Sequence, residues 1–144
     1  MSRLEPFEIR KMAEWDLEAV DAIQAASLPN AAAGWKARDF LAHLSFVAIS
    51  SGEVAGFLVS RQTVEDEYEV LNMAVAPKQR RRGCGRAMLE FVLKTHPGIW
   101  FLDVRSSNAE AQALYESLGF HRCGLRHDFY REPLENAIEM TRSR

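Results

Sequence analysis

The sequence predicts an α/β domain of mixed α+β character, with one mixed sheet and helices on both faces. Three observations predict it. Apolar runs of strand length recur along the chain. Short turn-like segments at 50–53 and 65–67 join consecutive runs as hairpins, which pair antiparallel. Later runs are separated by helical segments, and strand–helix–strand units supply parallel neighbours. The 144 residues are 47% hydrophobic and 26% charged, enough apolar mass for the core of one domain spanning 1–144.

The elements follow in order. Residues 7–11 read as a short first strand. Asp16 is the N-cap of a helix in which Leu17, Val20 and Ile23 recur at helical spacing, and Pro29 ends it. Ala31 to Gly34 is a connection, and 35–44 reads as a second short helix. Strands are predicted at 46–49 and 54–63, then at 69–76, where Pro77 stops the run. Residues 83–95 form a helix with Met88, Leu89, Val92 and Leu93 on one side, ended by His96-Pro97-Gly98. A strand at 99–104 precedes a helix opened by a capping box of Ser107 and Glu110 and closed at Gly119. Strands at 120–131 and 137–141 complete the order βααβββαβαββ.

The bulk properties exclude several classes. The net charge of −2 gives no general attraction to nucleic acid. Cys84 and Cys123 form no CxxC pair, and His43, His96, His121 and His127 show no ligand spacing, so no metal is expected. No stretch has the length to cross a bilayer. The first residues lack the apolar run of a signal peptide, and the expected location is the cytoplasm.

The segment Arg80-Arg81-Arg82-Gly83-Cys84-Gly85-Arg86 lies between an apolar strand and a helix. Glycines let backbone N–H groups approach a ligand, and a new helix presents free N–H groups and the positive end of its dipole. This chemistry suits a pyrophosphate, with Arg81, Arg82 and Arg86 adding charge at the rim. Neither GxxxxGK[ST] nor GxGxxG occurs. The competing reading is a basic turn with glycines chosen for tightness.

Leu71-Asn72-Met73-Ala74-Val75-Ala76-Pro77, followed by Arg80 to Ala87, resembles the acetyl-CoA signature of the GNAT N-acetyltransferases. Asp103-Val104-Arg105-Ser106-Ser107-Asn108 and Ala113-Leu114-Tyr115-Glu116-Ser117-Leu118-Gly119-Phe120 also match. That second block is most similar to the RimI subfamily of ribosomal-protein alanine N-acetyltransferases. The resemblance implies the GNAT fold: a central mixed, mostly antiparallel twisted sheet of six to seven strands, flanked by four helices. It implies acetyl-CoA as cosubstrate. Met73, Ala74 and Val75 would lend strand-edge backbone to the pantetheine arm and the acetyl carbonyl. Arg81, Arg82, Gly83, Cys84, Gly85 and Arg86 would wrap the pyrophosphate, and Asn108 would touch the cofactor arm. Tyr115 would be the general acid, and the position of Asp103 would hold the general base. The family usually has Glu there.

Read on their own terms, these residues allow alternatives. Asn108 and Tyr115 are seven apart and would share a helix face. Tyr115 also fits a core tyrosine with its hydroxyl reaching water. Asp103 on an apolar strand is either catalytic or paired with Arg105 or another arginine. Glu69 is a second base candidate. By alternation it shares a face with Leu71, Met73 and Val75, and it could orient a cationic acceptor. It could equally be a solvated strand-end charge. Phe129 and Tyr130 resemble an aromatic pair bordering the acceptor groove, or pack on the sheet. Cys84 is either a thiol activated at a helix N-terminus or a small filler.

An α-amine has a pKa of about 8 and lysine about 10.4, so a short base such as Asp103, or a water chain, suits the α-amine better. The acidic run Glu65, Asp66, Glu67 and Glu69 could attract a basic tail, or equally be an exposed turn. The resemblance to RimI, which these features support, implies as acceptor a protein N-terminus, such as that of a ribosomal protein, with no direct nucleic acid and no membrane partner expected. A small-molecule amine, or acyl-CoA binding without catalysis, are the rival readings.

Overall fold

The computed structural model describes residues 6–27 and 36–143. Strand β1 (Glu8–Lys11) leads through a 3-10 turn at Glu14–Asp16 into helix α1 (Leu17–Ala26). Helix α2 (Ala37–Phe40) precedes the strands β2 (Leu44–Ser50), β3 (Glu53–Val64) and β4 (Glu67–Val75). After a second 3-10 turn, Pro77–Gln79, come helix α3 (Cys84–Thr95), strand β5 (Ile99–Arg105), helix α4 (Ala109–Ser117), and strands β6 (His121–Arg131) and β7 (Leu134–Arg142). All seven strands form one sheet in the order β1-β2-β3-β4-β5-β7-β6. Only β4 and β5 pair parallel.

The central strands are apolar on both faces because both faces are covered. Phe46, Leu58, Trp100, Leu102 and Met140 pack with Met88, Leu89 and Val92 of α3. Val47, Phe57, Val59 and Ala74 pack on the other face with Val20, Ile23 and Phe40 of α1 and α2. Successive residues of β2 and β3 thus serve different cores, which explains runs without polar alternation.

Four local expectations are corrected. Helix 35–44 is limited to Ala37–Phe40, because the Ser45 hydroxyl donates to Phe40 O at 2.6 Å as the chain turns into β2. Trp35, Pro29 and the connection 31–34 lie outside the described residues. Asp16 does not cap α1: its carboxylate turns back to accept from Ala13 N–H at 2.8 Å and to pair with Arg10 at 2.8 Å. The capping box at Ser107 and Glu110 is replaced by Asn108, whose Oδ1 accepts from Ala111 N–H at 3.1 Å. The Ser107 N–H is already engaged by Glu135 at 2.6 Å.

The fourth correction matters most for the site. Val59 pairs with Asn72 and Ser60 with Val70, so Leu71 is an extra residue on β4, a β-bulge. Val70 joins the α3 core, Leu71 the α1 core, and Met73 and Val75 the α3 core again. Glu69, between Tyr68 and Val70, therefore shares a face with Leu71 but not with Met73 or Val75.

Candidate active site

The parallel pairing of β4 with β5 covers only Glu67↔Ile99, Tyr68↔Trp100 and Glu69↔Phe101. Beyond these, β4 continues to Val75 and β5 to Arg105 without pairing to each other. The bulge at Leu71 bends β4, while β5 follows β7 in continuous register from Trp100 to Arg105. The sheet opens between them.

One strand edge lines this opening. Ala76 N–H donates to Ala55 O at 2.7 Å, so antiparallel alternation directs Ala74 and Asn72 at β3. Met73 and Val75 then turn their backbone groups to the gap, and Val75 O accepts from Arg80 Nε at 3.2 Å. Ala74 is committed to the β3 ladder and does not share that edge.

The loop after β4 ends beside this edge. Arg81 and Gly83 both have positive φ, 64° and 86°. The first bond closing the start of α3 runs from Ala87 N–H to Gly83 O at 2.9 Å. Ahead of it, the N–H groups from Arg81 through Arg86 donate to no backbone carbonyl among the described residues. A Cβ placed on Gly85 would lie 3.6 Å from Met73 Cε and 3.6 Å from Leu114 Cδ2, so loop, strand edge and α4 converge there. The amides, their curvature and the helix dipole fit a diphosphate.

The side chains around the loop divide. Arg81 is exposed, 3.8 Å from Glu110, and Arg82 donates to Gln79 Oε1 and lies over the Phe7 ring. Arg86 reaches away to Ser117 Oγ at 2.6 Å, so its contribution to an anion is its amide. Cys84 is buried, and burial pushes its thiol up to about 11, which makes it a filler and not an activated thiol.

Helix α4 carries Tyr115 into the α3 core, 5.9 Å from the Phe120 ring. Burial pushes its phenol up to about 12, with a smaller contribution from Tyr130. The hydroxyl makes no hydrogen bond among the described residues. Asn108 caps the helix through Oδ1, which leaves its NH2 group outside the cap.

On the opposite face of β5, away from Trp100 and Leu102, stands Asp103. It pairs with Arg126 of β6, Nε to Oδ1 at 3.0 Å, not with Arg105. Arg126 also bonds Glu139 of β7 at 3.0 Å, the residue beside Asp103 in register. Burial raises the Asp103 carboxyl above its ordinary value, Arg126 opposes this, and Glu139 and Glu69 reinforce it. Glu69 itself pairs with Arg61 at 2.9 Å.

Sequence reasoning missed Arg126 and Glu139, which the β6–β7 and β5–β7 registers bring to Asp103. It also missed the anchor of the β6–β7 hairpin. Arg105 pairs with Glu135 at 3.1 Å and stacks 4.3 Å from the Tyr130 ring centroid. Glu135 is held down to about 2 by Ser107 hydrogen bonds first, then by Arg105 and Ser106. Between Arg126↔Ala137 and Tyr130↔Glu135, β6 carries three residues against one on β7. This hump raises Phe129, which meets Tyr130 edge-on at 5.1 Å. Burial pushes Tyr130 up to about 12, and it responds to the charges of Asp103 and Arg105. No group of three or more His, Cys, Asp or Glu that could hold a metal occurs among the described residues.

An open strand edge running from unpaired amides to a buried phenol is the architecture of an acetyltransferase domain. Residues 42–122 match the family described as Acetyltransferase (GNAT) domain, and the chain belongs to that family. Within it, 92 residues are 41% identical to the [ribosomal protein bS18]-alanine N-acetyltransferase of Escherichia coli K12, covering 61% of this chain and 62% of that protein. A 99-residue segment is 40% identical to the N-alpha-acetyltransferase RimI of Mycobacterium tuberculosis, covering 66% and 63%. The matched segments thus span less than two thirds of these relatives' lengths. The crystal structure of the E. coli ribosomal-protein-S18-alanine N-acetyltransferase superposes with a TM-score of 0.80 at 33% identity, covering 94% of this chain and 92% of that one. Ard1 of Thermoplasma volcanium gives 0.85 at 27% identity, covering 96% and 97%. The GNAT fold is therefore established for this chain. No helix among the described residues is long and apolar enough to cross a membrane.

Proposed function

We propose that residues 1–144 act as one acetyl-CoA-dependent N-acetyltransferase domain whose acceptor is the N-terminal α-amine of a protein, of the kind the E. coli relative is named for. The observation that carries this reading is the opening between β4 and β5, with unpaired amides at one end and Tyr115 in the core against which Met73 and Val75 pack. Acetyl-CoA supplies an activated thioester. The amides from Arg81 to Arg86 grip its diphosphate, and Arg81 and Arg82 add charge at the rim. Gly83 permits the curved backbone. The Asn108 amide reaches the extended arm, which lies along Met73 and Val75 as an added strand. The amides at that edge polarise the thioester oxygen.

The acceptor enters on the face of Asp103, Glu69 and Tyr130. Glu69 orients its ammonium, and Tyr130 and Phe129 border its chain. Asp103 accepts a proton from the ammonium, directly or through one water, and its raised pKa brings it closer to the amine's. The neutral nitrogen attacks the carbonyl carbon and loses its second proton to solvent; the C–N bond forms and the C–S bond breaks. Tyr115 gives its proton to the departing sulfur and recovers one from solvent. Burial keeps Tyr115 protonated until that moment. The same dry setting disfavours the thiolate, so it raises the proton affinity of the acceptor atom as well. A ribosomal acceptor places the enzyme in the cytoplasm. Acetylation of a library of N-terminal peptides and small amines, with the modified atom mapped by mass spectrometry, tests the reading. Transfer to α-amines of peptides is expected; transfer to small amines alone would overturn it.

A further inference from the structure

The pair between Asp103 and Arg126 has a geometry that bears on acceptor entry, and it rests on the acceptor site proposed above. Asp103 Oδ1 is occupied by Arg126 Nε, and the same guanidinium bridges to Glu139 Oε2, both at 3.0 Å. Glu69 lies close enough to act electrostatically on Asp103. Three carboxylates from β4, β5 and β7 therefore converge, and Arg126 is the cation shared by two of them. Arg126 is not locked in place. Its side chain is 47% exposed, and its guanidinium carbon already lies 5.7 Å from the ring centroid of Phe129, itself 47% exposed. An aromatic face is a second resting place for a guanidinium.

We propose that Arg126 is a specificity-determining gate: it occupies the anionic seat of the acceptor ammonium, and an entering α-amine displaces it toward Phe129. A cation is exchanged for a cation, so the carboxylates are never left unpaired. An acceptor with no positive charge has nothing to offer in that exchange. The seat thus selects a protonated amine that then gives its proton to the carboxylate Arg126 has left.

The test compares the full chain with Arg126→Gln and Arg126→Lys. Calorimetry with CoA present measures binding of an alanine-first peptide and of the same peptide already acetylated at its N-terminus. Arg126→Gln should bind the free-amine peptide roughly two- to fivefold more tightly, the scale of a half-exposed ion pair, with no gain for the acetylated peptide. Arg126→Lys should stay near wild type. In turnover, Arg126→Gln should lower the acceptor KM, leave the acetyl-CoA KM unchanged, and move the acidic limb of kcat/KM to higher pH. Arg126 is the cation that lowers the Asp103 pKa, whereas Glu69 and Glu139 raise it. Cys123 and Tyr130 also face this cluster from β6, and Arg61 holds Glu69 from β3. Weaker or unchanged peptide binding in Arg126→Gln, or an equal gain for the acetylated peptide, would overturn the gate. Wild type that binds the peptide but transfers no acetyl group would instead overturn the transferase reading, and the binding comparison would still decide the gate.

Discussion

Glu69 and Met73 stand on opposite faces of β4, because the unpaired Leu71 between them shifts the alternation by one residue. In the proposed function the strand would therefore serve two ligands, one on each side. Glu69→Gln is expected to raise the acceptor KM roughly two- to fivefold and leave the acetyl-CoA KM unchanged. Met73→Ala should do the reverse, since Met73 packs toward the loop at Gly85. Steady-state kinetics with each substrate varied in turn checks both; the opposite pairing of effects would refute the face assignment.

Tyr115→Phe should cut kcat by about 10²- to 10⁴-fold, the usual contribution of a general acid. The melting temperature should barely move, because the hydroxyl makes no hydrogen bond among the described residues and the ring packing survives. Acetyl-CoA affinity should also persist. Thiol release and calorimetry measure the two separately, and undiminished turnover would remove Tyr115 from the chemistry.

The two glycines of the loop should respond differently to alanine. At Gly83, φ of 86° makes any side chain strained, at a cost of about 1–2 kcal/mol in stability. At Gly85, an added Cβ meets only ordinary contacts at 3.6 Å, and alanine favours the helix by about 0.5–1 kcal/mol. Gly85→Ala should therefore fold at least as well as wild type yet bind acetyl-CoA more weakly, because its methyl enters the space beside Met73. Thermal melts and cofactor titration of the two variants give the answer.

Asp16 gives a pH signature of stability. Burial opposes its charge, but hydrogen bonds from Arg10 and Ala13 and the Arg10 charge prevail, so its folded pKa is lowered. A depressed carboxyl contributes stability that is fully present above its unfolded value, about 3.9, and is lost as pH falls through the folded value. Asp16→Asn should cost roughly 2 kcal/mol at pH 7, and its deficit should shrink below about pH 4. Denaturant unfolding across that range checks it; a deficit independent of pH would disprove the linkage.

Much of this was legible in the sequence. The order of strands and helices follows from apolar runs and from turn chemistry at Gly52, Pro77 and Gly98. The loop from Arg80 to Arg86 stood out because its glycines sit where a strand meets a helix. What escaped depends on register. Arg126 and Glu139 are 23 and 36 positions from Asp103; Glu139 reaches it through the β5–β7 register and Arg126 through β6–β7 pairing. The bulge at Leu71 leaves no local mark, since leucine suits either face. Asn108 took the cap from Ser107 because Glu135, distant in the chain, already held the Ser107 amide.

The three residue pairs between β4 and β5 leave the two halves of the sheet joined only near one end of that seam. In the absence of substrate, amide hydrogens near the tear should exchange with solvent faster than those of β2 and β3. A bound pantetheine chain would staple the halves together. The protein should then resist heat and proteases better as the supply of coenzyme A or its acetyl thioester rises above the dissociation constant.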